Sequence, residues 1–334
     1  MILMIRGARP AVCQGFFAAA LVLVVVLAYG AEPGQHAVRV GFVNPFSQSA
    51  APRAVTAFWD RLRELGWVEG QNLVIEQRSA DGHVERLPSV MREVIARKLD
   101  VLVTSGTPAA TAAKNATSTV PIVAIGMGDP IGTGLALTLA KPGSNLTGLS
   151  VQWGDLSGKW LELLQEAIPR LASIAVISNP ESAVVRTQQK NLQTMASHRG
   201  VKLRFEDVRE PGVLTHVFQR AAKEAQAALV MSDPVTATAR KQIAALAAEY
   251  RLPTLYVGFE FMDAGGFMAY GVDNRILYRH AAEYVDKILR GARPGDLPIE
   301  QPAGFELVVN LKAARALGIT IPQSILLRAD EVIR

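Results

Sequence analysis

The residues of this chain that could do chemistry are few and widely scattered. Five histidines, His36, His83, His198, His216 and His280, share no spacing that would bring two onto one metal ion. The acidic pairs Glu206-Asp207 and Glu260/Asp263 have no partner that would make one carboxyl an acid and the other a base. No Gly-x-Ser-x-Gly nucleophile turn occurs. The glycine-rich stretch Ala124–Gly134, AIGMGDPIGTG, raises phosphate binding. A dinucleotide fingerprint needs G-x-G-x-x-G after the first strand, and a Walker loop needs Gly-Lys-Ser/Thr; Gly126, Gly128, Gly132 and Gly134 satisfy neither. Gly126 and Gly128 read instead as bare backbone that lets a small ligand approach. Asp129-Pro130 reads as a helix start, with Gly132 and Gly134 easing packing inside that helix. No catalytic set, metal site or cofactor site is expected.

A different pattern recurs. Asn44-Pro45, Thr107-Pro108, Asp129-Pro130, Asn179-Pro180 and Asp233-Pro234 each follow an apolar run. Proline begins a helix well, and a small polar residue before it can cap the free N–H groups. Those N–H groups and the positive helix end suit a carboxylate or a phosphate. Capped starts of this kind occur in every α/β protein, so the set carries more weight than any member. Aromatics are only 6% of the chain, yet Phe46, Trp153, Tyr256, Phe259 and Tyr270 all fall at or near expected strand ends. Most such residues are core, but a wall for a flat or apolar side chain is credible. His83 follows a strand and could reach the rim of a cleft.

These positions need elements that aim them at one place. Strand-like runs at 38–44, 73–79, 100–106 and 121–126 alternate with helix-like runs at 53–67, 84–98, 108–116 and 130–140. That βαβ rhythm predicts a parallel sheet covered on both faces. KPGSNLTGLS (141–150) breaks it before a strand that leaves the first lobe. The rhythm restarts with strands at 173–180, 201–208, 227–234, 252–258 and 265–271 and helices at 157–169, 184–200, 212–225, 238–251 and 276–291. A Pro-rich link at 292–302, a strand at 305–310, a short helix at 311–318 and an unplaced tail at 321–333 follow. The expected fold is α/β, with two doubly wound parallel-sheet lobes and a central cleft. Ligands of such sheets bind at the carboxyl ends of strands.

The 334-residue length supports two lobes. A formal charge of +5 without a block of like charge argues against nucleic acid. Arg6 and Arg9 precede an uncharged run from Phe16 to Gly30, shorter than the ~20 residues of a membrane span. Ala28-Tyr29-Gly30 then supplies small residues, so residues 1–30 read as a secretory signal peptide, with an uncleaved anchor as the alternative. The one cysteine, Cys13, lies before the apolar core, which leaves the mature chain without disulfide or thiol chemistry. A periplasmic protein is expected.

Longer phrases carry a resemblance. RVGFVNP (39–45), SGTPAATAAKNAT (105–117), TVPIVAIGMGDPIGTGLALTLAKPGSNLTGLS (119–150) and GFEFMDAGGFMAYGVD (258–273) resemble the ABC-transporter substrate-binding family of the tryptophan/tyrosine type. So does the run YVDKILRG to EVI (284–333), and the likeness covers essentially the whole mature chain. It implies a type I periplasmic-binding-protein fold, with lobe 1 over 37–149 plus about 273–303 and lobe 2 over 150–272 plus about 304–334. Carried over by position, the ligand shell is Asn44, Phe46, Ser105, Gly106, Thr107, Met127 and Asp129 from one lobe. The other offers Ser150, Trp153, Asn179, Asp233, Tyr256 and Tyr270. A ligand carboxylate is expected near Ser105–Thr107, and an ammonium near Asp129 or Asp233. Glu69–Asn72 is a family mark read as a structural turn. The resemblance further implies capture of a small solute by hinge closure near Gly148–Val151, Gly271–Asn274 and Pro302–Phe305. It implies a monomer that delivers to an ABC permease in the inner membrane. The rivals are a ligand-sensing ectodomain and, further off, a doubly wound enzyme.

Overall fold

The apolar, β-branched runs become strands and the amphipathic runs become the helices between them. The computed structural model describes residues 37–47, 52–151, 156–301 and 304–334; the expected leader over 1–30, Trp153 and the first two residues of the expected crossing at Pro302–Phe305 lie outside them. In chain order come β1 (Val38–Asn44), α1 (Pro52–Glu64), β2 (Leu73–Ser79), α2 (Leu87–Ile95), β3 (Val101–Ser105), α3 (Gly106–Ala116), β4 (Ile122–Met127) and β5 (Leu146–Ser150). Then follow α4 (Ser157–Ala167), β6 (Ser173–Ser178), α5 (Ala183–His198), β7 (Lys202–Asp207), α6 (Leu214–Glu224), β8 (Ala227–Val230), α7 (Pro234–Thr238) and α8 (Arg240–Glu249). The chain ends with β9 (Thr254–Tyr256), β10 (Met268–Gly271), α9 (Asn274–Leu289), β11 (Glu306–Asn310), α10 (Leu311–Leu317), α11 (Gln323–Arg328) and β12 (Glu331–Ile333).

Two sheets result. The first has the order β2-β1-β3-β4-β5 and is parallel throughout. The second has the order β12-β11-β10-β9-β8-β6-β7. The period of two along each strand sorts its side chains onto opposite faces. In the first sheet Val40, Phe42, Val101, Val103, Val123 and Ile125 pack toward α1 and α9, while Val43, Leu102, Ile122 and Met127 pack toward α2 and α3. In the second, Ile174, Val176, Leu229, Leu255 and Val309 face α4 and α5. Ala175, Ile177, Val230 and Tyr256 face α6 and α8. Each sheet is thus buried on both faces, and its strand ends are left as the places where polar groups can meet a ligand. Helix α9 returns to the first sheet although the strand before it, β10, belongs to the second.

Four expectations need correction. The second sheet is mixed, because β10 and β11 run antiparallel. Residues 130–140 form turns rather than a helix: Asp129 Oδ1 accepts from Gly132 N at 2.8 Å, and Gly134 adopts a φ of +72°. A side-chain acceptor and a left-handed glycine both compete with helical hydrogen bonding there. The strand expected over 227–234 stops at Val230 and the short helix α7 follows it, while the helix expected over 238–251 is α8. The unplaced tail supplies α11 and an edge strand, β12, parallel to β11.

Candidate functional site

The strand ends of both sheets converge on one cavity. From the first sheet come Pro45 and Phe46 after β1, Ser105 to Pro108 where β3 turns into α3, Gly126 on β4 and Gly128 after it, and Val151 after β5. From the second come Ser182 and Val184 before and within α5, Ser232, Asp233 and Pro234 after β8, and Val257, Gly258 and Glu260 after β9. Asn274 and Tyr278, in the first turns of α9, complete the wall.

The turn from β3 into α3 is the first-sheet side of the site. Gly106 has a φ of +76°, a conformation that side chains with a Cβ avoid. Ser105 stands at the N-cap but its hydroxyl does not cap; it shares a 2.7 Å hydrogen bond with the Tyr278 hydroxyl. Burial pushes the Tyr278 phenol up to about 12, against the pull of that hydrogen bond. The start of α3 therefore faces the cavity without a side-chain acceptor, which is the arrangement that favours an anion. Thr107 Oγ1 accepts from Gly128 N at 2.9 Å and ties this turn to the end of β4.

The second-sheet side carries the acids. Asp233 is 5% exposed and caps α7: its Oδ1 accepts from Thr236 N at 2.8 Å, and Thr236 Oγ1 accepts from Asp233 N at 3.0 Å. Its Oδ2 is buried and has no hydrogen-bond partner. Burial pushes the Asp233 carboxyl up, opposed by the contacts from Thr236 and Asn179. Glu260 Oε1 accepts from Ser232 Oγ at 2.5 Å. Burial also raises Glu260, with the Ser232 hydrogen bond and the Arg240 charge working the other way. A Cβ on Gly258 would fall 2.3 Å from the Glu260 carboxylate, so only glycine leaves that carboxylate its place.

The two sides touch. Ser47 N donates to Thr238 Oγ1 at 3.2 Å, across 191 residues of chain. The backbone of Gly128 lies against Val184, close enough that a Cβ would be 2.5 Å from Val184 Cγ2.

Of the expected shell, Phe46, Ser105, Gly106, Thr107 and Asp233 line the cavity. The other members of the shell among the described residues are not on its wall. Asn44 is buried and turns its Oδ1 to Phe46 N at 2.9 Å, closing the loop after β1. Met127 packs into the core on the α2–α3 face. Asp129 is exposed and holds its own turn, so it is no candidate for the ammonium partner. Ser150 is wholly buried at the end of β5, where its N–H donates to Glu300 O at 2.9 Å. Asn179 is buried, with Oδ1 accepting from Glu181 N at 3.0 Å, and reaches the site only through Asp233. Tyr256 stacks on Phe261 at 4.7 Å beneath the helices, and Tyr270 packs on Phe305 at 6.1 Å; both project from a sheet face rather than a strand end. His83 pairs with Glu85 at the surface, 3.0 Å away. Wall residues outside the expected shell include Glu260, Tyr278, Ser182, Val184 and Asn274. Glu260 was visible only as half of an acidic pair, and Tyr278 as one more apolar position on a helix.

Two α/β units whose strand ends share one cavity define a bilobal solute-binding protein. A family model described as ABC transporter substrate binding protein matches residues 39–333, and the chain belongs to that family. It is a family of solute-binding proteins that act outside the cytoplasm with ABC transporter components, and the chain is a binding protein rather than an enzyme. The tyrosine-binding protein of Clostridioides difficile (strain R20291) is 23% identical over 278 residues, 83% of this chain and 80% of that protein. A conserved domain protein from Vibrio cholerae is 29% identical, with a TM-score of 0.83 over 89% of this chain and 99% of that one. An ABC domain in complex with L-Trp from Streptococcus pneumonia is 24% identical, with a TM-score of 0.80 over 88% and 100%. The fold is that of the type I periplasmic binding proteins. Among the described residues no helix is long and apolar enough to cross a membrane.

Proposed function

We propose that this chain is the solute-binding component of an ABC importer and holds an aromatic amino acid, or a close relative of one, in the cavity between its two sheets. The observation that carries the reading is a single cavity with an uncapped helix start on one wall and a buried, half-satisfied carboxylate on the other. The ligand carboxylate meets the N–H groups at Gly106 and Thr107, and its ammonium meets Asp233. The apolar body lies among Phe46, Val184 and Val257. The tyrosine-binding relative and the L-Trp complex support the aromatic class.

Binding proceeds by hinge closure. Lobe 1 comprises 37–149 plus about 273–303, and lobe 2 comprises 150–272 plus about 304–334. The hinge is the three crossings near Gly148–Val151, Gly271–Asn274 and Pro302–Phe305. Contacts such as Gly128 with Val184 and Ser47 with Thr238 are of the kind that exist only with the lobes together, so a ligand touching both walls favours the closed form. The N-terminal 30 residues are a signal peptide, the mature monomer is periplasmic, and the closed form delivers to a permease in the inner membrane.

Calorimetric titration of the mature protein with L-tyrosine and L-tryptophan, paired with small-angle scattering, tests this. One-to-one saturable binding with a fall in radius of gyration is expected. Absence of binding by every amino acid tried overturns the ligand class, and binding without compaction overturns closure.

A further inference from the structure

The cavity wall carries two carboxylates, Asp233 and Glu260, and among the described residues no lysine, arginine or histidine lines it. They follow β8 and β9, which are neighbouring strands, and Ser232, adjacent to Asp233, donates to Glu260. One residue thus links the pair. Asp233 Oδ2 is buried without a donor, a state that is expensive to maintain unless a ligand supplies one. Gly258 vacates the space that the Glu260 carboxylate fills. The charged groups acting on Glu260 are Arg240 from α8 and Asp263 beyond it; Arg240 is buried and stands off the cavity wall, so the wall itself stays acidic.

We infer that Asp233 and Glu260 act together as a clamp for one protonated amine, and that this amine, rather than the ligand's carboxylate, is the group the cavity requires. The inference rests on the reading of this cavity as the solute site and adds to it a second recognition residue, Glu260, and a rank order of ligand groups. An ammonium brings three donors, which suits Asp233 Oδ2 and Glu260 at once. A ligand without an amine closes the cavity over two carboxylates that no cation on the wall faces. A ligand without a carboxylate forfeits only the α3 N–H groups, which water can serve instead. Neutral sugars leave the clamp unpartnered, and a second anionic group on the ligand is repelled. The class selected is a primary amine, zwitterionic or monocationic, on an apolar body.

Calorimetry with L-tyrosine, tyramine and 3-(4-hydroxyphenyl)propionate at neutral pH decides the matter on the parent protein alone. Tyramine is expected to bind more tightly than the propionate, and the propionate about 100-fold or more below tyrosine. A propionate that equals or exceeds tyramine overturns the clamp, while tyrosine binding in the same series leaves the cavity reading standing. If none of the three binds, the reading fails and the clamp with it. The assignment of Glu260 is tested by Glu260→Gln, with Asp233→Asn, which keeps a cap, as the companion. Each is expected to weaken tyramine about 10-fold or more and to leave the propionate unchanged or tighter. Parent-like affinity for tyramine in a Glu260→Gln protein that melts no lower than the parent overturns the role of Glu260.

Discussion

Glu260 is a half-buried carboxylate on the cavity wall, held by the Ser232 hydroxyl. Burial raises its pKa, so the folded chain holds that proton more tightly than the unfolded chain does. The sign follows: stability falls as pH rises from the ordinary glutamate range, near 4.3, through the elevated folded value. Glu260→Gln should therefore stabilise the ligand-free protein at neutral pH by on the order of 1 kcal/mol and change little below pH 4, as read by urea unfolding at both pH values. Binding has the opposite dependence. An amine needs Asp233 and Glu260 ionised, and both are raised, so affinity for an amine ligand should drop as pH falls through their common window. A pH series of titrations with L-tyrosine checks this, and an affinity that is flat or rises on acidification would contradict it. Tyr278 serves differently. Its hydroxyl is the partner of the buried Ser105, and Tyr278→Phe should cost about 1 kcal/mol of unfolding free energy by leaving that serine unpaired.

At the scale of elements, the site depends on how closely β4, β5 and α5 approach. Gly148 on β5 has a φ of +138°, and a Cβ there would fall 2.0 Å from Ala124 O on β4. The obstacle is backbone on a paired strand and cannot swing away. Gly148→Ala should lower the unfolding free energy by about 2–4 kcal/mol in denaturant titration. Gly128 is the contrasting case. Its missing Cβ would strike Val184, a stiff side chain on the facing helix α5. Gly128→Ala should weaken ligand binding by about 10-fold while barely altering the melting temperature of the ligand-free protein, because the clash exists only when the lobes meet. These elements were legible to differing degrees. Runs such as VRVGFVN and VLVTS announce strands, since their apolar character is continuous and short. The 130–140 segment misled because its composition suits a helix, whereas one carboxylate and one left-handed glycine turn it aside. Glu69–Asn72 was readable as a turn, and Asn72 does close it, accepting from Val68 N at 2.7 Å and donating to Gly66 O at 2.9 Å.

At the scale of the molecule, ligand and closure are linked by mass action. A solute present at 100 times its dissociation constant should add about 2.7 kcal/mol to stability, enough to raise the melting temperature by several degrees in a thermal-shift assay. A cognate ligand that saturates by calorimetry yet leaves the melting temperature unmoved would contradict the linkage.

Local periodicity and turn chemistry determined that the chain is two α/β units with polar, proline-marked strand ends, because each of those signals lies within a few residues. Phe46, Ser105, Gly106, Thr107 and Asp233 could be read as site residues for the same reason: each sits where a strand gives way to a turn or helix. Tertiary structure alone decided which ends meet. Tyr278 reaches Ser105 across 173 residues, and Glu260 gains its place only because β9 lies beside β8 and Gly258 stands aside. Tyr256 and Tyr270 were lost to the core by the same rule of alternation that makes their strands, since a one-residue step along a strand exchanges one face for the other.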